Sequence, residues 1–383
     1  MKAKRTLRLL SFCLIIIISI SLFTGCKSRK LSPDSLSKKE VGTVGSYTVY
    51  YDELYTVAGL ARTSKMSADE LWETVGVKLL DSYAKLTLCE RYGVEYDEKE
   101  LEDDVQDYID AIISESFDGD RGAYLDALEE MGSTDRYMRF NAKVELMYSK
   151  LPSAMALKGD LSADEDVVTD YIENNFVRVK HFMVANGKGE NADQNLAVAK
   201  KALDALRSGK TTMNELIGGK YREDGITLIN DDLLIPADGY TFGKGTMSAT
   251  YENAAYALSV GEFSEVICAK GEDYATGEDV DCYYVIERLP LTENIIKDNY
   301  GTLYETYKEV VVSEKLTEAK STLKFVPNEY AKSLNILELE GISVGVDVTL
   351  IVIISVSAVA VIGIATAVVL IIVKRKKAGN KAK

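Results

Sequence analysis

The stretch from Val348 to Val373 carries no charged side chain, and a run of that kind has to be hidden from water. At about 1.5 Å per helical residue it is long enough to cross a hydrocarbon core of about 30 Å with some tilt, so the sequence predicts one transmembrane helix over 348–373. Lys374, Arg375, Lys376 and Lys377 follow directly, and the positive-inside rule assigns the tail 374–383 to the cytoplasm. Gly363 and Ala367 form a small-x-x-x-small pair, a spacing that apolar helices also show by chance. At the other end, Lys2, Lys4, Arg5 and Arg8 precede an apolar run from Leu9 to Phe23, which is the layout of a secretory signal over 1–25. Cleaved or retained as an anchor, that segment agrees with the C-terminal run in placing the middle of the chain outside the cytoplasm.

The formal net charge is −15 although both ends are basic, so the part between them is more acidic still. Such a surface repels nucleic-acid phosphates and suits solubility, basic polypeptide partners or loosely held cations; solvation of long helices explains it equally well. The chain has a single histidine, His181, which excludes an HExxH or His-rich zinc site. No Gly-x-x-x-x-Gly-Lys-Ser/Thr loop is present, which argues against nucleotide. FDGDRG at 117–122 is too short a fragment of a calcium loop to count, and no nucleophile elbow accompanies His181 for a hydrolase. No cofactor and no metal are expected.

Periodicity divides the middle. Residues 27–40, rich in Lys and Ser, read as a tether. VGTVGSYTVYYDEL at 41–54 reads as a strand, a Gly-Ser turn and a strand running into a helix. Helical spacing then covers 67–92, 97–117, 123–131, 135–151 and 162–176, with Ser-x-x-Glu capping boxes at Ser67 and Ser162. From Val177 to Leu289 the pattern changes to strand, helix, loop, helix, strand, strand, as in a small α+β domain. Helical spacing returns through Ile295, Ile296, Tyr304, Tyr307, Val310 and Val311, continuing to about Phe325.

The α+β segment carries a resemblance. VRVKHFMV with His181, a helix AVAKKALDALRSGK, then YREDG, FGKGTMSATYENAAYALSVGEFSEV and CYYVIERL follow the order and spacing of the parvulin-type peptidyl-prolyl isomerases. In that family the first strand carries HILV, a Phe-x-x-Gly-x-Met turn leads into a helix that begins with an aromatic, and the last strand carries Gly-Tyr-His. Phe242, Gly245, Met247 and Tyr251 match; Cys282, Tyr283 and Tyr284 stand where Gly, Tyr and His are expected. The Gly-Gly-x-Leu-Gly turn before Phe242 is replaced by the longer ITLINDDLLIPADGYT. The whole order is similar to the extracytoplasmic foldase lipoproteins of Gram-positive bacteria and related periplasmic chaperones, and Phe-Thr-Gly-Cys at 23–26 resembles a lipobox, with Cys26 as the acylated residue. A signal anchor in which Cys26 is incidental is the alternative.

The resemblance implies an α+β fold: a helical chaperone region, 41–176 and 291–335, with an inserted parvulin-like domain, 177–290, then a linker, 336–347, and the transmembrane helix. It assigns Phe242, Met247 and Tyr251 to a proline pocket, with Tyr256 behind it, and His181, Asp224 and Tyr284 to the polar cluster. Core packing for the aromatics, a satisfied strand histidine at His181 and a turn role for Asp224 stand beside those assignments. Cys268 and Cys282 fall on strands the family pairs antiparallel, which admits a disulfide outside the cytoplasm or two unlinked thiols.

Rotation about a peptide bond faces about 18–20 kcal/mol, and prolyl isomerisation breaks no covalent bond, so such a site works by favouring the twisted amide through differential binding. With the apolar positions kept and the second histidine lost, the expected protein is a membrane-anchored extracytoplasmic folding factor, weak or inactive as an isomerase, acting on unfolded or secreted polypeptides with X-Pro bonds. It needs no nucleic acid or nucleotide, and a homodimer is compatible with it. The alternative is a non-catalytic peptide-binding chaperone; a sensor signalling through the spanning helix has only a ten-residue tail behind it.

Overall fold

A computed structural model describes residues 37–339, apart from 64, 188–190, 224–225, 229, 233–234, 237 and 274–277. The signal, Cys26, the spanning run and the basic tail therefore lie outside the described residues. Among the described residues no helix is long and apolar enough to cross a membrane. The protein is an α+β structure, and its described residues divide into two compact units: 37–161 together with 314–339, and Ser162–Ser313.

The first unit opens with β1 (Glu40–Val44) and β2 (Tyr47–Tyr50), paired antiparallel around Gly45-Ser46 with Val44 opposite Tyr47. Alternation buries Val41, Val44 and Val49. Six helices follow: α1 (Tyr51–Ala61), α2 (Ala68–Tyr92), α3 (Glu98–Ser116), α4 (Arg121–Glu130), α5 (Asp135–Tyr148) and α6 (Leu151–Lys158). Their starts are fixed chemically: Ser67 and Glu70 form the expected capping box on α2, while Asp97, Asp120 and Thr134 cap α3, α4 and α5. The helix expected over 135–151 ends instead at Tyr148 and a new one begins at Leu151 with Pro152 in its first turn, the place where a missing N–H is harmless. Leu71, Val75 and Leu79 of α2 pack with Leu54, Tyr55 and Ala58 of α1 in one core cluster. Leu101, Val105, Ile109 and Ile112 of α3 centre a second with Tyr124 and Leu128 of α4.

The second unit begins with α7 (Glu165–Asn175). Asp164 caps it, and Ser162, expected in that place, accepts instead from the Asp164 N–H. There follow β3 (Val177–Ala185), α8 (Ala192–Arg207), the short α9 (Met213–Ile217), a two-residue hairpin β4 (Arg222–Glu223) and β5 (Ile226–Thr227), β6 (Tyr240–Phe242), α10 (Ala249–Ala257), β7 (Ile267–Asp273), β8 (Glu278–Leu289), α11 (Glu293–Asp298) and α12 (Tyr300–Thr322). The sheet is four-stranded and antiparallel in the order β6-β3-β8-β7.

Period-two alternation gives this sheet two apolar faces. Phe182, Val184 and Val285 pack with Ala199, Leu203 and Leu206 of α8 and with Leu216 of α9. Val177, Val179, Met183, Cys282, Tyr284 and Ile286 point the other way and pack with Tyr251 and Ala255 of α10. Odd numbering on β3 places His181 on that second face.

The division between units falls within α12. Beyond it, β9 (Phe325–Pro327) returns to the first unit as the third strand of its sheet, pairing with β1, and α13 (Glu329–Lys332) follows.

The β7–β8 register corrects one expectation. Cys268 lies opposite Tyr283, and Cys282 lies opposite Ala269, so the two cysteines point to opposite faces. Cys268 is exposed and Cys282 is buried, and no disulfide joins them. A shift of one residue in a hairpin register is sufficient to separate a pair that sequence symmetry would bring together.

Candidate functional site

His181 stands in the middle of β3 on the face toward α10, 5% exposed. Its Nδ1 lies 2.9 Å from the Tyr251 hydroxyl and 3.2 Å from that of Tyr240, and the two hydroxyls are 2.6 Å apart. Its Nε2 lies 2.9 Å from Oδ2 of Asp232. An ionised carboxylate only accepts, so Nε2 carries a proton and donates it to Asp232. In the neutral imidazole Nδ1 then accepts, which assigns a chain in which Tyr240 donates to Tyr251 and Tyr251 donates to His181. Burial, and after it the neighbouring Tyr240 hydroxyl, hold the Tyr251 phenol well above its ordinary pKa, so it stays protonated as that chain requires.

Around this polar line the rings are dense. Tyr284 meets His181 edge-on at 5.1 Å between centroids and Tyr251 at 5.2 Å. Its phenol is also pushed up, by burial first and then by the adjacent Cys282. A Cβ on Gly271 would come within 2.1 Å of the Tyr284 hydroxyl, so only glycine leaves room for that ring. Phe242 is 2% exposed; it touches Tyr251 at 6.1 Å, Tyr256 edge-on at 6.0 Å and Tyr240 at 6.0 Å. Met247 and Tyr256 are partly buried against the same cluster. The turn that leads from Phe242 to α10 is held by Glu252, whose carboxylate accepts the Gly245 N–H, with Gly245 at φ +81°.

Of the residues singled out in the sequence, the fold brings His181, Phe242, Met247, Tyr251, Tyr256 and Tyr284 into one neighbourhood. Asp224 lies outside the described residues. Tyr284 contacts His181 through its ring rather than taking the hydrogen-bonding place of a second histidine. The polar partners of His181 come instead from residues that sequence reasoning passed over, Asp232 and Tyr240, both within the replacement segment 226–241.

Strand pairing explains how that segment reaches His181. β6 covers only Val177–Val179 of β3, which leaves the second half of that edge with unpaired backbone groups. Asn230 and Asp231 fill it: Asn230 Oδ1 accepts the Met183 N–H at 2.7 Å, Asp231 Oδ2 accepts the Ala185 N–H at 2.9 Å, and the Asp231 N–H donates to the Met183 carbonyl at 3.0 Å. Asn230 also donates to the Asp232 carbonyl. Asx side chains that bond to backbone in this way form a surrogate strand edge, and they deliver the Asp232 carboxylate to Nε2. The Asn-Asp-Asp run was the available signal.

Among the described residues no group of three or more His, Cys, Asp or Glu side chains could hold a metal ion. The arrangement is a buried aromatic cluster backed by a hydrogen-bond chain.

No family model and no curated protein matches the chain. Among solved structures it is similar to a foldase protein, PrsA, from Lactococcus lactis, at 17% identity over 76% of this chain and 96% of that one, with a TM-score of 0.26. It is also similar to a peptidylprolyl isomerase, PrsA, from Bacillus anthracis, at 15% identity over 64% and 96%, TM-score 0.30. A third is the foldase protein PrsA from Streptococcus pneumoniae, at 18% identity over 79% and 99%, TM-score 0.28. With TM-scores of 0.30 or less and identities of 18% or less, these likenesses carry nothing further; what the site can do follows from its own geometry.

Proposed function

We propose that this chain is a membrane-anchored extracytoplasmic folding factor whose Val177–Leu289 segment is a parvulin-type peptidyl-prolyl isomerase module, inserted in a helical chaperone region that receives unfolded polypeptides with X-Pro bonds. The observation that carries this reading is the meeting of His181 with Tyr251 and Tyr284, and of Tyr251 with Phe242, on one face of the sheet. The parvulin resemblance assigns Phe242 and Tyr251 to a proline pocket and His181 and Tyr284 to the polar cluster beside it. Signal and spanning run support the location, and the acidic surface suits basic clients. Catalysis would come from an apolar seat for the proline ring beside a water-poor polar line that lowers the cost of the twisted amide.

A second reading, passive peptide binding, is favoured by a different observation: both ring nitrogens of His181 are engaged inside the cluster, which leaves the imidazole with no lone pair or proton for an incoming amide. The full-length chain in lipid nanodiscs, added to a substrate protein whose refolding is limited by proline isomerisation, separates the two. Acceleration of the slow phase that His181→Ala abolishes supports catalysis; suppressed aggregation with an unchanged slow phase supports holding alone. If the chain does neither, both readings fall.

A further inference from the structure

We propose that Tyr240 sets the depth of this site: its ring covers Phe242 and His181, so a bound proline ring is kept on the outer face of Tyr240 and away from the floor beneath. The inference rests on the reading of the cluster as a peptide-binding site. It starts from strand alternation. On β6, Tyr240 lies opposite Val179 and Phe242 opposite Val177, so both side chains project to the α10 face, the face of His181. The Tyr240 ring then stacks on Phe242 at 6.0 Å and 29°, and meets His181 edge-on at 5.9 Å. His181, Phe242 and Tyr251 are buried, whereas Tyr240 is only half-buried. It is thus the layer between solvent and the residues that would receive a proline ring.

The same ring is latched. Its hydroxyl reaches both Tyr251 and His181, closing the polar chain over the floor. A smaller residue in this place would leave a hollow bounded by Phe242, His181 and Tyr251, apolar on one side and hydrogen-bonding on the other. Selectivity follows: with tyrosine present a proline ring rests in a shallow seat against the outer face of Tyr240, and without it the ring reaches the floor formed by Phe242, His181 and Tyr251.

The test measures binding of a fluorescein-labelled tetrapeptide with one central proline, and of its Pro→Ala counterpart, to the full-length chain in lipid nanodiscs by fluorescence anisotropy. Tyr240→Ala is expected to bind the proline peptide about tenfold more tightly than the parent, the gain that burying one more apolar ring supplies, with a smaller gain for the alanine peptide. Tyr240→Phe, which removes the latch and keeps the ring, is expected to stay below Tyr240→Ala. If Tyr240→Ala lacks a cooperative thermal transition, Tyr240→Val, with better strand propensity, is read in its place with the same expectation. Binding by the parent with no gain in the small-residue variant, or a gain in Tyr240→Phe equal to it, overturns this inference alone. Absence of binding by parent and variants overturns it together with the peptide-binding reading.

Discussion

A histidine in an apolar stripe is tolerated only if both ring nitrogens find partners, and those of His181 do, Nδ1 in the Tyr251 hydroxyl and Nε2 in the Asp232 carboxylate. The partner hardest to replace is Asp232, because it accepts the hydrogen bond from the Nε2–H of a ring buried from water. Asp232→Ala is expected to cost about 1–3 kcal/mol, the penalty of an unsatisfied buried donor, with Asp232→Asn recovering part of it. Urea unfolding of the three proteins checks this; equal midpoints for parent and Asp232→Ala would mean that water replaces the carboxylate. At this scale the sequence told half the story. His181, Phe242 and Tyr251 were legible because a motif with fixed spacing carries them, whereas Asp232 and Tyr240 sit in a segment whose course depends on which strand edge is left open.

Among the elements, local chemistry fixes where helices begin. The Ser67–Glu70 box was readable because its bonds span only a few residues, whereas the box read at Ser162 gives way to an Asp164 cap two residues on. The packing of helices on one another was not readable, and it holds a buried ionic group. Asp52 and Glu53 of α1 are 1% exposed each; Arg136 of α5 bonds to both, and Glu53 also accepts from Tyr83 of α2. Burial, ahead of the opposing hydrogen bonds from Tyr83 and Arg136, holds the Glu53 carboxyl above its ordinary pKa. Arg136→Met is therefore expected to cost about 3–5 kcal/mol at neutral pH, since it strands buried carboxylates. For an acid whose folded pKa is raised, its stabilising contribution is present below the unfolded pKa and lost as pH rises through the folded one. The deficit of Arg136→Met should accordingly shrink as the pH falls into the carboxylate range. A deficit that is constant between neutral and mildly acid pH would place its origin in packing alone.

For the molecule as a whole, the first unit is discontinuous in sequence: β9, beyond the second unit, completes the β2-β1-β9 sheet. Phe325 of β9 is 7% exposed and stacks on Trp72 of α2 at 6.4 Å and 16°. Trp72 is the only tryptophan in the chain, so its fluorescence reports on this unit. Phe325→Ala is expected to lower the unit's stability by about 3–5 kcal/mol, as large-to-small changes in cores do, seen as an earlier Trp72 transition in urea. An unmoved transition would mean that the returning strand contributes little to the unit.

Read alone, the amino-acid order determined what depends on neighbours within a few residues: the Ser67 capping box, the alternation that puts His181 and Phe182 on opposite faces of β3, the α+β class, and the apolar run at 348–373. Tertiary structure alone decided the hairpin register that parts Cys268 from Cys282, the Asn230–Asp232 segment laid along the open edge of β3, and the Tyr240 ring over Phe242. Periodicity and capping are local geometry, repeated at every turn or pleat. Register and edge occupancy are settled by which distant backbone groups would otherwise be buried unpaired, and no short window of sequence contains that information.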